Sequence, residues 1–115
     1  MPKSFVSKTA SKEDMVFLAL ADPTRRAVVD RLARRPEQTS VLAAGFDMAL
    51  PSFTQHLGVL EKCGLVRSEK KGRIRTYYLE AKQLRKAEDW LAKRRSMWEK
   101  RLDQLDTYLL KLKEK

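Results

Sequence analysis

The sequence predicts a mainly α-helical fold with a small β-hairpin, a winged helix-turn-helix that ends in a long C-terminal dimerisation helix. Four short segments with helical periodicity are bounded by capping residues, prolines and glycines. Two strand-like runs then flank a glycine, and residues 82–113 contain neither Gly nor Pro. A chain of 115 residues has room for one domain. We divide it into a flexible N-terminal arm (1–10), a winged helix-turn-helix core (11–81) and the dimerisation helix (82–115).

Each short helix has a start or stop signal in the sequence. Ser11 stands three residues before Asp14, a carboxylate variant of the capping box, and opens the first helix. Asp22 can cap a second helix that has Pro23 at its first position, and Pro36 stops that helix. The predicted helices are residues 11–21, residues 22–35, residues 39–44 with Thr39 or Ser40 as the cap, and residues 51–63, which Gly64 ends.

A basic β-hairpin is predicted after the fourth helix. Residues 65–69 and 74–79 have strand-like composition, and Gly72 between them permits a tight turn. Arg67 and the cations around this turn have only Glu69 as a local counter-charge, so phosphate oxygens are their expected partners. The alternative is that lysines here only protect an exposed strand edge. The expected phosphate contacts are Lys70, Lys71, Arg73 and Arg75.

Net charge narrows the range of partners. Lys and Arg number 25 against 15 Asp and Glu, which gives a formal net charge of +10. Such a field favours nucleic acid, an anionic membrane surface or an acidic protein, and charge alone does not choose among them. No apolar run is long enough for a signal peptide or a membrane span, and Cys63, the single cysteine, cannot form an internal disulfide. We therefore expect a cytoplasmic protein with no membrane partner.

The fourth helix has a polar outer face. Phe53, Leu57 and Leu60 share one side and should pack inward. Gln55 then points outward and has the geometry to form paired hydrogen bonds with adenine. The alternative is that this outer face is an ordinary solvated helix surface. The basic hairpin that follows makes the alternative less favoured, because a helix followed by a wing is an arrangement that binds double-stranded DNA. The candidate DNA-binding residues of this helix are Ser52, Gln55 and Lys62 on the outer face, with Thr54 and His56 on its flanks.

The last helix carries an apolar seam. Leucine and tryptophan recur at seven-residue spacing, with two further leucines between them. An apolar stripe is usually intramolecular core, but a helix of about thirty residues extends roughly 45 Å, further than so small a domain can cover. We therefore expect a homodimer. The seam consists of Leu84, Leu91, Trp98, Leu102, Leu105, Leu109 and Leu112.

These elements together resemble the arsenic-repressor-like (ArsR-type) winged-helix regulators of bacteria and archaea. The resemblance covers most of the chain and is carried by residues 20–26, 51–57, 59–61, 63–66 and the wing at 72–77. It implies a homodimeric repressor whose fourth helix reads operator DNA, with Ser52, Thr54, Gln55 and His56 in the DNA-contacting stretch. For His56, the DNA contact rests on the resemblance alone.

The sequence departs from the metal-sensing members of that family. Their third helix often carries a Cys-x-Cys pair and their last helix carries Asp and His ligands. Here residues 41–44 contain no Cys and the last helix contains no His, so we expect neither a metal nor another cofactor. The effector is unknown. Cys63 is interpreted as a packed residue, with a redox switch as the alternative.

A catalytic function is not indicated, because the sequence offers no nucleophile with a partnered base, no phosphate-cradling glycine loop and no paired carboxylates in a plausible pocket. The main hypothesis is a sequence-specific transcriptional regulator, a homodimeric repressor at an inverted-repeat operator. An architectural protein that coats DNA with little sequence choice is the first alternative. An adaptor whose long helix binds another protein is the second.

Overall fold

The computed structural model of the chain describes residues 11–114. The predicted order of four helices, a hairpin and a long helix is confirmed, and the predicted arm at 1–10 lies outside the described residues. A short additional strand, β1, was not expected. The elements are α1 (Lys12–Leu20), α2 (Pro23–Arg34), β1 (Glu37–Gln38), α3 (Thr39–Ala44), α4 (Leu50–Lys62), β2 (Val66–Lys71), β3 (Ile74–Leu79) and α5 (Ala81–Lys113).

The predicted helix caps at the first two helices are present. Ser11 Oγ accepts a hydrogen bond from the Asp14 backbone N–H at 3.1 Å, and the Asp14 carboxylate accepts one from the Ser11 N–H at 3.0 Å. Asp22 Oδ2 accepts from the Arg25 backbone N–H at 3.0 Å, and this hydrogen bond holds the pKa of the Asp22 carboxyl below its usual range. Both helices therefore begin where short-range sequence signals place them.

The predicted cap of α3 is wrong. Thr39 is the first helical residue and Gln38 stands at the cap position, with no side-chain capping bond. The Thr39 hydroxyl instead donates to the Arg75 backbone carbonyl at 3.2 Å. The reason is the strand β1, whose Gln38 pairs with Thr76 of β3 and brings Thr39 to the sheet. The Thr39 hydroxyl, which the local sequence predicts as a helix cap, is therefore engaged by the sheet instead.

The sheet has three antiparallel strands in the order β1-β3-β2. In the wing, β2 and β3 are in register from Val66 opposite Leu79 to Lys71 opposite Ile74. A two-residue turn joins them, and Gly72 occupies it at φ 60°, a conformation that favours glycine. The strand β2 runs to Lys71, so the predicted hairpin is confirmed with a longer first strand and a tighter turn.

The core lies between α1, α2, α3, α4 and the base of the wing, and the start of α5 closes it. On α5, Gln83 and Ala87 are buried, and the Trp90 ring meets the Phe17 ring of α1 at 5.6 Å between centroids. From residue 95 to residue 114 every side chain of the helix is exposed. The fully buried side chains of the core include Val16, Val28, Leu42, Phe53, Leu57, Leu60 and Leu65.

Candidate nucleic-acid interface

The inner face of α4 fixes the direction of its outer face. Phe53, Leu57 and Leu60 are buried, as predicted, and the Phe53 ring packs against Phe46 at 5.0 Å between centroids. Because this face is closed by the core, rotation of α4 about its axis would expose large apolar side chains. Opposite it, Ser52, Gln55 and Lys62 are exposed. The sequence prediction placed these three side chains on the same outer face.

Thr54 and His56 flank that outer face with different degrees of exposure. Thr54 is exposed, and its hydroxyl donates to the Leu50 carbonyl one turn earlier at 2.8 Å, so its oxygen keeps only acceptor capacity for a ligand. The His56 side chain is 22 % exposed. Its Nδ1 lies 3.2 Å from Nη1 of Arg25 and 3.8 Å from Oδ2 of Asp22. His56 is therefore attached to α2 at one ring nitrogen.

The tip of the wing is an exposed cationic turn, which we define as Lys70, Lys71, Gly72 and Arg73. All four residues are exposed, and none of the ion pairs found among residues 11–114 includes them. Arg75, next along β3, is also exposed, and its Nη1 donates to Ser68 Oγ at 2.7 Å. The wing tip therefore presents cations whose charge is not balanced by neighbouring carboxylates in the described chain.

At the base of the wing, the expectation that Glu69 is the only local counter-charge is wrong. Arg67 Nη1 lies 2.6 Å from Glu69 and Arg67 Nε lies 2.6 Å from Glu80, the residue that precedes α5. Hydrogen bonds to these two carboxylates raise the pKa of the guanidinium, which also stacks 4.2 Å above the Tyr78 ring. At the base of the wing two carboxylates thus surround the single cation Arg67, and the free positive charge of the wing is confined to the tip and Arg75.

A shallow groove brings the wing close to the start of α4. Leu50, in the first turn of α4, lines it on one side, and Arg73 and Arg75 line it on the other. The end of β1 and the start of α3 contribute further polar side chains that the sequence analysis does not select as DNA-binding. The sequence gives little signal for this role, since it indicates only a helix cap at Thr39 or Ser40. These additional residues are Gln38, Thr39 and Ser40.

Cys63 lies in the core behind α4. It is fully buried, its Sγ donates to the Leu60 carbonyl at 3.3 Å, and burial raises the pKa of its thiol. A raised pKa lowers the thiolate fraction, which agrees with the interpretation of a packed residue. Within residues 11–114, no group of three or more His, Cys, Asp or Glu side chains is arranged to hold a metal ion.

The seam of α5 divides into two parts. Leu84 is partly buried and packs against the core of its own chain. The other six seam residues, from Leu91 to Leu112, are between 47 % and 59 % exposed. Beyond Arg94 the helix continues from 95 to 113, a segment that we call the overhang and that extends about 28 Å. No helix within residues 11–114 is long and apolar enough to cross a membrane.

Comparison with known sequences agrees with this arrangement. Residues 20–69 match the model of a helix-turn-helix domain family. The chain is 40 % identical over 72 residues to the HTH-type transcriptional regulator Rv2034 of Mycobacterium tuberculosis, a match that covers 63 % of this chain and 67 % of that protein. It is 30 % identical over 76 residues to the transcriptional repressor SdpR of Bacillus subtilis, covering 66 % and 84 %.

Solved structures give the same result. The fold is similar to the crystal structure of an ArsR family transcriptional regulator, RHA00566, at 46 % identity and a TM-score of 0.74, covering 82 % of this chain and 97 % of the other. An ArsR-like transcriptional regulator from Rhodococcus sp. RHA1 is 32 % identical with a TM-score of 0.70, covering 82 % and 89 %. These relatives and this fold are those of DNA-binding regulators and not of enzymes. The chain belongs to the ArsR family of helix-turn-helix transcriptional regulators.

Proposed function

We propose that the protein is a homodimeric repressor that binds an inverted-repeat operator in double-stranded DNA. The observation that carries this proposal is that Leu50, in the first turn of α4, lines one groove with Arg73 and Arg75 of the wing, while the outer face of the same helix is polar and exposed. A helix of this kind fits the major groove while a wing reaches the adjacent backbone. The name of the similar SdpR, a transcriptional repressor, supports repression as the outcome of binding. The proposed compartment is the cytoplasm.

The two parts of the surface have different proposed tasks. Gln55 is exposed at the centre of the outer face, and its amide offers both a donor and an acceptor to a base edge, with Ser52 and Thr54 beside it. The wing cations and Lys62 contact phosphates, which adds affinity without sequence information. The net charge of +10 extends that attraction over the whole molecule. The side chains of α4 therefore supply specificity, and the wing supplies most of the salt-dependent affinity.

The proposed dimer rests on the overhang. Trp98, Leu102 and Leu105 are each at least 50 % exposed, and the described part of the chain offers nothing that covers them. Large apolar side chains repeated every seven residues on a helix are typical of a seam between two helices. A second copy presents an identical seam, so a two-fold contact is self-complementary. Leu91, Leu109 and Leu112 extend this contact, and Leu84 lies where it joins the core.

Dimerisation determines the form of the operator. A two-fold dimer presents two copies of α4, so the bound sequence is an inverted repeat whose half-sites lie about one helical turn, roughly 34 Å, apart or a multiple of that distance. A genome-wide footprint of the purified protein identifies this sequence. Diffuse coverage without a repeat would support the alternative of an architectural DNA-binding protein, for which the uncompensated cations of the wing tip are the favouring observation.

Replacing Gln55 by Ala tests the proposed reading of bases. The change removes a candidate base contact and leaves the buried face of α4 intact, so the protein should remain folded and dimeric. We expect a loss of about 1–3 kcal/mol per half-site on the operator and little loss on random DNA. Both DNAs are titrated at one salt concentration.

Gln104→Ala is the matched control, because Gln104 is an exposed glutamine of the overhang, remote in sequence from α4 and the wing. It should leave both affinities unchanged. Equal weakening of the Gln55 variant on the two DNAs would make Gln55 a phosphate contact. No weakening on either DNA would mean that α4 does not read bases through this face.

A further inference from the structure

Arg25 of α2 connects three elements through its guanidinium. Its Nε donates to the Ala19 carbonyl at 2.8 Å and its Nη2 donates to the Leu18 carbonyl at 3.2 Å, both at the end of α1. Its Nη1 lies 3.2 Å from His56 Nδ1 on α4. The side chain is therefore held in one orientation from two directions, with one N–H directed at the imidazole.

This contact assigns the proton of the His56 ring. An arginine side chain has only donors, so a hydrogen bond to Nδ1 requires Nδ1 to accept. Where this hydrogen bond is made, Nδ1 carries no proton and the ring N–H is on Nε2. No hydrogen bond of His56 Nε2 to another residue of the segment 11–114 is found, and the His56 side chain is 22 % exposed. Within the described chain, Nε2–H is therefore a donor without a partner on the flank of α4.

We propose that Arg25 is a positioning residue, which holds His56 in the Nε2–H form so that this N–H donates to an acceptor oxygen of bound DNA. The proposal rests on the proposed function in placing DNA at α4. The assignment of the ring proton stands on the geometry of Arg25 alone. A phosphate oxygen is the natural acceptor, because it is anionic and a charge-assisted hydrogen bond is stronger than a neutral one.

Among residues 11–114, Asp22 is the other charged group found beside the His56 ring. Its Oδ2 is 3.8 Å from His56 Nδ1 and is already engaged as the helix cap by the Arg25 backbone N–H. If Nδ1 carried the proton, this N–H would donate to the Asp22 carboxylate. The hydrogen bond from the Arg25 guanidinium would then be lost, because Nδ1 could no longer accept. His56 Nδ1 thus has two alternative partners, the Arg25 guanidinium at 3.2 Å and the Asp22 carboxylate at 3.8 Å. The shorter distance favours the hydrogen bond with Arg25.

The ring proton can be observed directly, because His56 is the single histidine of the chain. We expect the ¹⁵N NMR spectrum of the labelled full-length protein at pH 8 to show the proton on Nε2, with coupling patterns of that tautomer. A dominant Nδ1–H tautomer in the wild-type protein would overturn the proposal without any variant having to fold.

Two variants test the positioning. In Arg25→Met the donor is lost, and we expect the ring to become a mixture of the two tautomers. Arg26→Met is the matched control, because Arg26 Nη1 also donates to the end of α1, at Leu20 at 2.7 Å, and no contact with His56 is found for it. The control should keep the Nε2–H form. The same mixture in both variants would assign the effect to α1 and refute the role of Arg25.

A double-mutant cycle on operator DNA tests the consequence. We expect Arg25→Met and His56→Ala each to weaken binding about tenfold, and the double variant to be little weaker than either single variant. Additive losses would show that Arg25 acts independently of His56 and would overturn the proposal. Unchanged affinity in all three would overturn it as well, while Gln55→Ala would still report separately on the proposed function.

Discussion

Two helical regions of this protein have similar apolar periodicity and opposite surroundings. In α4, Phe53 and Leu57 are at most 1 % exposed, because α1, α2 and the wing strand β2 pack against this helix. In the overhang, Trp98 and Leu105 repeat at the same kind of helical spacing and are 57 % and 50 % exposed. The same pattern therefore marks a completed core in one place and an open seam in the other.

An apolar stripe on a helix therefore identifies the face that will be buried, but it does not specify which chain covers that face. Burial of apolar surface contributes about 25 cal/mol per Å², whichever chain supplies the covering atoms. In the body of the protein, residues 11–94, the chain itself supplies them for core residues such as Phe53. In the overhang, the described chain does not, and a second copy is the proposed source. Stability of the body should thus depend on residues such as Phe53, and association should depend on the seam.

The largest expected effect is the loss of stability on truncating the core. Phe53→Ala should lower the free energy of unfolding by about 3–5 kcal/mol, because it removes a fully buried ring and leaves a cavity. Leu110→Ala, at a position 62 % exposed and off the seam, should change it by less than about 0.5 kcal/mol. Chemical denaturation at one protein concentration measures both. Similar losses would mean that the overhang is as tightly packed as the core.

Next in size is the effect of a charge in the seam. Leu105→Glu should yield monomers at micromolar concentration, because an unpaired charge buried in an apolar contact costs several kcal/mol. Sedimentation gives the oligomeric state, and circular dichroism should show a folded body. Ser96→Glu adds the same charge on the opposite side of the helix and should remain dimeric. If Leu105→Glu also remains dimeric, the seam is not the interface.

The smallest expected effect is at the wing. Arg73→Gln should reduce the slope of log affinity against log salt by about one on operator and random DNA alike, because one phosphate contact is lost. Lys100→Gln removes one positive charge from the overhang and should leave the slope unchanged. Titrations at several salt concentrations measure both slopes. An unchanged slope for Arg73→Gln would remove this residue from the DNA-contacting surface.

Much of the fold could be predicted because its signals are local. Ser11, Asp22 and Gly72 act on backbone groups within a few residues, so caps and turn follow from sequence. The inner face of α4 follows from helical periodicity alone. The strand β1 could not be predicted, since a strand of two residues is too short to show a periodic pattern. It forms through its pairing with β3.

The sequence by itself determined where α1 and α2 begin, the basic wing and the two apolar faces, because these depend on backbone chemistry and side-chain spacing. Only the tertiary structure decided which charges remain free and which polar atoms are already engaged. Glu80 neutralises Arg67 from 13 residues away, and Arg25 reaches His56 from 31 residues away. Contacts at such separations depend on how helices and strands pack, which no local pattern specifies.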